Sequence, residues 1–173
     1  MATRSTIALE FADGTVGQVY CHWDGYLDHN GRILLEHYDS SKANHLVALG
    51  DLSSLGTELG EKHPFGEFDY ADGATDEEKQ QVKEAYHKAK ESNWCTFYKR
   101  DREEKNVDFQ VSFSDKELFE QFEWCEYFYV MKDGVWYVSQ GPDSGWKVLA
   151  DALREEDELG YTAPYVTGML ELA

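Results

Sequence analysis

Twice in this chain an Asp-Gly pair stands between runs in which apolar and polar residues alternate, and that pattern limits the fold more than anything else in it. Before Asp13-Gly14, Ile7, Leu9 and Phe11 alternate with Thr6, Ala8 and Glu10; after it, Val19, Cys21 and Trp23 alternate with Gln18, Tyr20 and His22. The same arrangement recurs in "EYFYVMKDGVWYVSQ" around Asp133-Gly134. A period of two places alternate side chains on opposite faces of a strand, and Asp-Gly tolerates the positive φ of a tight turn. Each segment therefore reads as a β-hairpin.

Between the two pairs the period changes. "NGRILLEHY" and "KANHLVALG" carry apolar residues at helical spacing, with Ser40 or Ser41 as N-cap and Gly50 as stop, so two short helices follow the first hairpin. Residues 51–74 hold four glycines and little periodicity, and read as a long surface loop with one short strand near Thr57 to Leu59. "TDEEKQQVKEAYHKAKES" opens with Thr75 and Glu78 in capping-box spacing and has a narrow stripe of Val82, Ala85, Tyr86 and Ala89, which predicts a helix over 75–92. Strands are expected at 94–100 and at 106–113, the latter with Val107, Phe109, Val111 and Phe113 on one face. A short helix follows from Ser114, and a last one runs from Asp143 or Ser144 with Trp146, Leu149, Ala150 and Leu153 inward. The tail after Gly160 reads as a short strand or a surface drape. Together these elements predict one α+β domain over 1–173, an antiparallel sheet of five or six strands with helices mainly on one face.

Composition decides which partners such a domain can have. Thirty-four acidic against sixteen basic residues leave a net charge of −18, which repels nucleic acid and anionic membrane and attracts basic protein surfaces. Aromatic content of 14% is too high for a disordered chain. Cys21, Cys95 and Cys125 show no paired spacing and sit in apolar runs, so they read as reduced buried thiols. With no long apolar run and no leader-like start, the expectation is a cytoplasmic protein without a membrane segment.

Chemistry-bearing residues crowd into "YCHWDGYLDHNGRILLEHY". His22, Asp24, His29 and His37 have metal-ligand side chains, but no HExxH spacing accompanies them. Cys21 adjoins His22, yet neighbours on a strand point to opposite faces. No Walker loop, GxSxG or GxGxxG is present, so neither catalytic residues nor a cofactor nor a metal is expected. Tyr20, His22, Trp23, Asp24 and Tyr26 could instead form an aromatic pocket for a flat ligand such as a nucleotide signal, with Arg4, Arg32 and Lys42 available for phosphates. The acids offer the other surface. Glu117, Glu120, Glu123 and Glu126 recur every three residues, and Glu155, Glu156, Asp157 and Glu158 end the last helix. Rows of carboxylates can imitate the phosphate ladder of DNA and fill a basic groove.

"TRSTIA", "DGTVGQVYCHWDGY" and "NGRILLEHY" together resemble small accessory proteins of bacteriophages and mobile elements that open in the same way; the resemblance covers about the first 40 residues. It implies a context in which small acidic proteins bind and block host defences that handle nucleic acid, such as CRISPR effectors and restriction enzymes. The expected function is therefore non-enzymatic: an acidic inhibitor whose partner is a host protein with a basic nucleic-acid-binding groove. The alternative is a nucleotide-signal sponge built on the aromatic turn.

Overall fold

The computed structural model describes residues 2–158. The expectation for the tail after Gly160 lies outside the described residues. Among these residues eight strands form one mixed sheet: β1 (Ser5–Glu10), β2 (Val16–Cys21), β3 (Leu52–Ser54), β4 (Thr96–Phe97), β5 (Gln110–Ser112), β6 (Tyr127–Lys132), β7 (Val135–Ser139) and β8 (Lys147–Val148). Their order is β4-β3-β2-β1-β6-β7-β8, with β5 on the outer side of β2. Most pairings are antiparallel, but β1 runs parallel to β6, with Ile7 opposite Tyr129, and β2 meets β3 in parallel at Cys21 and Leu52. The sheet is thus larger than five or six strands and not purely antiparallel. The extra strands are two or three residues long, too short for a period of two to register.

The two Asp-Gly pairs make different turns. Lys132 pairs with Val135 directly across Asp133 (φ 50°) and Gly134 (φ 78°), the two-residue, double-positive-φ turn that suits the twist of antiparallel strands. Around Asp13 the connection is five residues long, from Glu10 to Val16, and the Asp13 carboxylate accepts from both the backbone and the hydroxyl of Thr15. There the aspartate organises the loop with its side chain.

Among the described residues six α-helices accompany the sheet: α1 (Arg32–His37), α2 (Ser40–Leu49), α3 (Asp76–Glu91), α4 (Tyr98–Arg102), α5 (Asp115–Gln121) and α6 (Leu149–Glu158). Odd-numbered positions of β1 and β6, among them Ile7, Leu9, Tyr129 and Met131, face a core filled by Leu34 of α1, Leu46 and Val47 of α2 and Leu149 and Leu153 of α6. Even-numbered ones, Ala8, Phe128 and Val130, face a smaller core closed by Leu118 and Phe119 of α5 and by Phe122. The helices are therefore unequally divided between two faces.

Several boundaries differ from the sequence reading for local reasons. Asp39, not Ser40 or Ser41, caps α2 by accepting the Lys42 N–H at 2.8 Å. Within 51–74, Leu52–Ser54 is a strand beside the core and Leu55 and His63 are buried, while Thr57–Leu59 contributes only a bridge from Glu58 to Trp94. After β4 the chain turns into α4 at Tyr98 instead of staying extended to Arg100. Only Gln110–Ser112 of 106–113 is strand, and Phe109, Val111 and Phe113 are exposed, Phe113 at 74%. The last helix starts at Leu149, because Lys147–Val148 is drawn into β8; Trp146 stacks on Phe119 across the other core, and Ala150 faces solvent while Ala152 is buried.

Candidate functional site

The end of β2 builds the most chemically distinctive surface of the molecule. Tyr20 and His22, one pleat apart, project from the same face of the strand as α5, and the Tyr20 hydroxyl lies 2.7 Å from His22 Nδ1. Burial pushes the Tyr20 phenol up to about 12, although the neighbouring Arg4 pulls it down. Burial, and then the Arg4 charge, lowers His22. Both shifts favour one arrangement: a protonated phenol donating to a neutral imidazole, with the Arg4 guanidinium donating to the phenol oxygen.

Aromatic rings extend this pair in both directions. The Trp23 indole meets His22 edge-on at 4.7 Å, Tyr20 stacks on Phe122 at 6.3 Å, and Trp124 stands 6.4 Å from Tyr20 and 5.5 Å from Phe122. Phe122 is buried and anchors the group, whereas Trp23 is 44% and Trp124 53% exposed. Such exposure of two large indoles along one ridge, joined through His22 and Tyr20, is unusual for a surface without a binding role.

The strand delivers Trp23 to this ridge through a sharp exit. His22 and Trp23 donate their N–H groups to Leu52 O and Ser53 O, Asp24 takes φ 57°, and Gly25 returns to donate to Thr3 O at 2.8 Å. A Cβ on Gly25 would meet the Ser5 Cβ at 2.6 Å and the Thr3 oxygen at 2.8 Å, so only glycine fits. Behind the turn, buried Asn30 donates to Trp23 O and to Ser5 Oγ, and the Tyr129 hydroxyl donates to Gly25 O at 2.6 Å. The turn is fixed from three sides.

The five residues expected to form a ligand pocket do not converge. Tyr20, His22 and Trp23 lie together on the ridge with exposed Asp24 at its end, but Tyr26 packs toward the larger core with His29, on the other face of the sheet. The potential metal ligands also separate: His29 Nδ1–H donates to Asn30 Oδ1, and His37 is exposed on α1. Among the described residues no group of three His, Cys, Asp or Glu side chains is placed to hold a metal ion. Burial raises all three thiols, Cys21 and Cys125 to about 12, so none is an activated nucleophile.

The two acidic groups stand on opposite sides of the sheet, since α5 closes the smaller core and α6 the larger. At the end of α6 most acids are paired: Glu155 with Lys147 at 3.3 Å, Asp157 with Arg32 at 2.9 Å and Glu158 with Arg154 at 3.8 Å. Half-buried Glu156 is pushed up by burial and by the charge of Asp28. On α5, Glu117 accepts the Phe113 N–H at 2.8 Å and Glu120 lies 3.9 Å from Lys116. Glu123 and Glu126 are different. They are exposed, flank Trp124, and carry no ion pair among the described residues.

Reading the sequence offered Arg4 only as a cation for a ligand's phosphates and did not find Phe122 or Trp124 as parts of this site, nor a second polar cluster at the far edge. There the Asp101 carboxylate, fully buried, accepts from the backbone N–H groups of His63 and Phe97 and from the Arg100 guanidinium. His63 bridges Pro64 O and Cys95 O with its ring nitrogens, both at 2.9 Å. This network ties the 59–64 segment to β4 and α4, and its members are too far apart in sequence to form a motif.

The fold and site define an α+β protein with a mixed sheet, an exposed aromatic ridge and an acidic rim. Neither a family model nor a curated protein nor a solved structure matches the chain. Among the described residues no helix is long and apolar enough to cross a membrane.

Proposed function

We propose that this chain is a non-enzymatic acidic accessory protein that acts by binding. It occupies the basic nucleic-acid-binding groove of a host defence protein, of the CRISPR-effector or restriction-enzyme kind, in the host cytoplasm. The observation that carries this reading is the pair of exposed, unpaired carboxylates of Glu123 and Glu126 on either side of exposed Trp124, in a chain of net charge −18. A field of that sign steers the chain toward positive surfaces, and rim carboxylates without internal partners are free to meet arginines and lysines across an interface. The α6 acids, largely neutralised by Lys147, Arg32 and Arg154, contribute field more than contacts.

The test is inhibition of DNA cleavage by a panel of purified CRISPR effectors and restriction endonucleases. At least one member is expected to be inhibited, with potency falling as salt rises from about 50 to 300 mM, since ionic screening shortens the reach of surface charge. Glu123→Lys with Glu126→Lys abolishes that inhibition. If no member is inhibited, or if the charge-reversed protein inhibits as well as the original, the reading is wrong.

A further inference from the structure

We infer that the ridge formed by Trp23, His22, Tyr20 and Trp124 is the contact surface itself, and that it receives arginine side chains of the partner. This rests on the binding reading above and assigns it a place and a chemistry. The ridge leaves the Trp23 and Trp124 indoles exposed at the surface, with partly exposed Tyr20 between them and buried Phe122 holding Tyr20 and Trp124 at 6.3 and 5.5 Å. Aromatic faces carry negative electrostatic potential and attract cations, tryptophan most strongly. Beside the indoles in sequence stand the exposed carboxylates of Asp24, Glu123 and Glu126, while the Arg4 guanidinium is engaged with Tyr20.

That sign selects the occupant. A nucleotide could stack on the same rings, but its phosphates would face three carboxylates in a field already negative overall. Among cations, guanidinium fits better than ammonium: it is planar, less strongly hydrated, stacks on indole, and donates two parallel hydrogen bonds to one carboxylate. Tryptophans with a charged rim also match the composition of residues that dominate binding energy at protein interfaces.

The experiment uses the whole protein and defined probes: a short peptide of alternating glycine and arginine, its lysine counterpart, and ATP. The readout is the indole N–H signal of each tryptophan in NMR spectra during titration. Expected are saturable shifts of Trp23 and Trp124 with the arginine peptide, none at Trp94, Trp136 or Trp146, and binding several-fold weaker with the lysine peptide. Trp124→Ala and Trp23→Ala each weaken arginine-peptide binding about tenfold, and an unchanged Trp136 signal shows that the variants fold. Equal binding of both peptides to wild type and tryptophan variants would overturn the ridge assignment while leaving the acidic-surface reading to the cleavage assay. Absence of saturable shifts at millimolar arginine peptide, or tighter binding of ATP than of that peptide at these two indoles, would also overturn it.

Discussion

Asp51 stands in the gap where β2 changes partners. Antiparallel β5 pairs with Val16 to Gln18 and parallel β3 with Cys21, so the Tyr20 N–H between them has no strand opposite it; Asp51 Oδ1 accepts it at 2.9 Å. Burial pushes the Asp51 carboxyl up to about 6, despite the pull of that hydrogen bond, and the charge of Asp108 pushes the same way. The folded state therefore holds this proton more tightly than the unfolded chain, whose pKa stays near 3.8. Between about pH 4 and pH 6 the folded protein binds more protons, so stability falls as pH rises through that window. Asp51→Asn keeps an acceptor for Tyr20 and removes the charge. It is expected to flatten urea-unfolding stability across that window and to raise it at pH 7 by about 1 to 2 kcal/mol, allowing for partial solvent screening. A variant with the wild-type pH slope would show that Asp51 is not the group responsible.

At the scale of elements, α3 was the easiest to read and is the least anchored. Thr75 Oγ1 accepts the Glu78 N–H and the Glu78 carboxylate accepts the Thr75 N–H, both at 3.1 Å, which completes the reciprocal box expected from Thr75 and Glu78. Yet Ala89 alone is buried along its sixteen residues; the helix lines an open groove of about 330 Å³ with Pro64, Tyr70 and Ala71, and its other contacts are surface ones, such as Lys79 over the Tyr70 ring and Lys88 over the Trp94 ring. Its stability is therefore mostly local. Thr75→Ala is expected to lower hydrogen-exchange protection in the first turns of α3 by about 1 kcal/mol while leaving the urea midpoint of the whole protein nearly unchanged. A large fall in that midpoint would mean that α3 carries more of the fold than its packing indicates. The opposite case is β5, where the residues read as one apolar strand face, Phe109, Val111 and Phe113 among them, are exposed. Its outer edge is closed by α5 instead: Glu117 takes the Phe113 N–H and Gln121 donates to Val111 O at 3.2 Å. Those side-chain bonds occupy the groups that a further strand would need, a means of protecting an edge from aggregation.

For the molecule as a whole the dominant physical fact is the charge of −18. Ion pairs at Arg32, Lys147 and Arg154 relieve it locally, but twice as many acids as bases leave net self-repulsion in the compact state. Raising NaCl from about 10 mM to 0.5 M, which shortens the Debye length from about 30 Å to less than 5 Å, is therefore expected to raise the thermal midpoint. A midpoint that falls with salt would show that the local pairs outweigh the repulsion. The same screening should weaken binding, so stability and affinity move in opposite directions with salt, a signature that general denaturation does not produce.

The α+β class, the long helix with its cap, the antiparallel segments at the Asp-Gly pairs and the overall charge were determined by the sequence alone, because each depends on neighbours within a few residues or on a sum over the chain. Tertiary structure decided the rest. The parallel contact of β1 with β6 joins residues more than a hundred positions apart, and two- or three-residue strands form only where a neighbour offers hydrogen bonds. The candidate site followed the same division. Local sequence showed Tyr20, His22 and Trp23 as an aromatic run ending in a turn, whereas their union with Arg4, Phe122 and Trp124, and the departure of Tyr26 to the other face, required the sheet to bring distant segments together. Spacing along a chain reports which residues share a face of one element; which elements meet is set by the burial of both faces of the sheet at once.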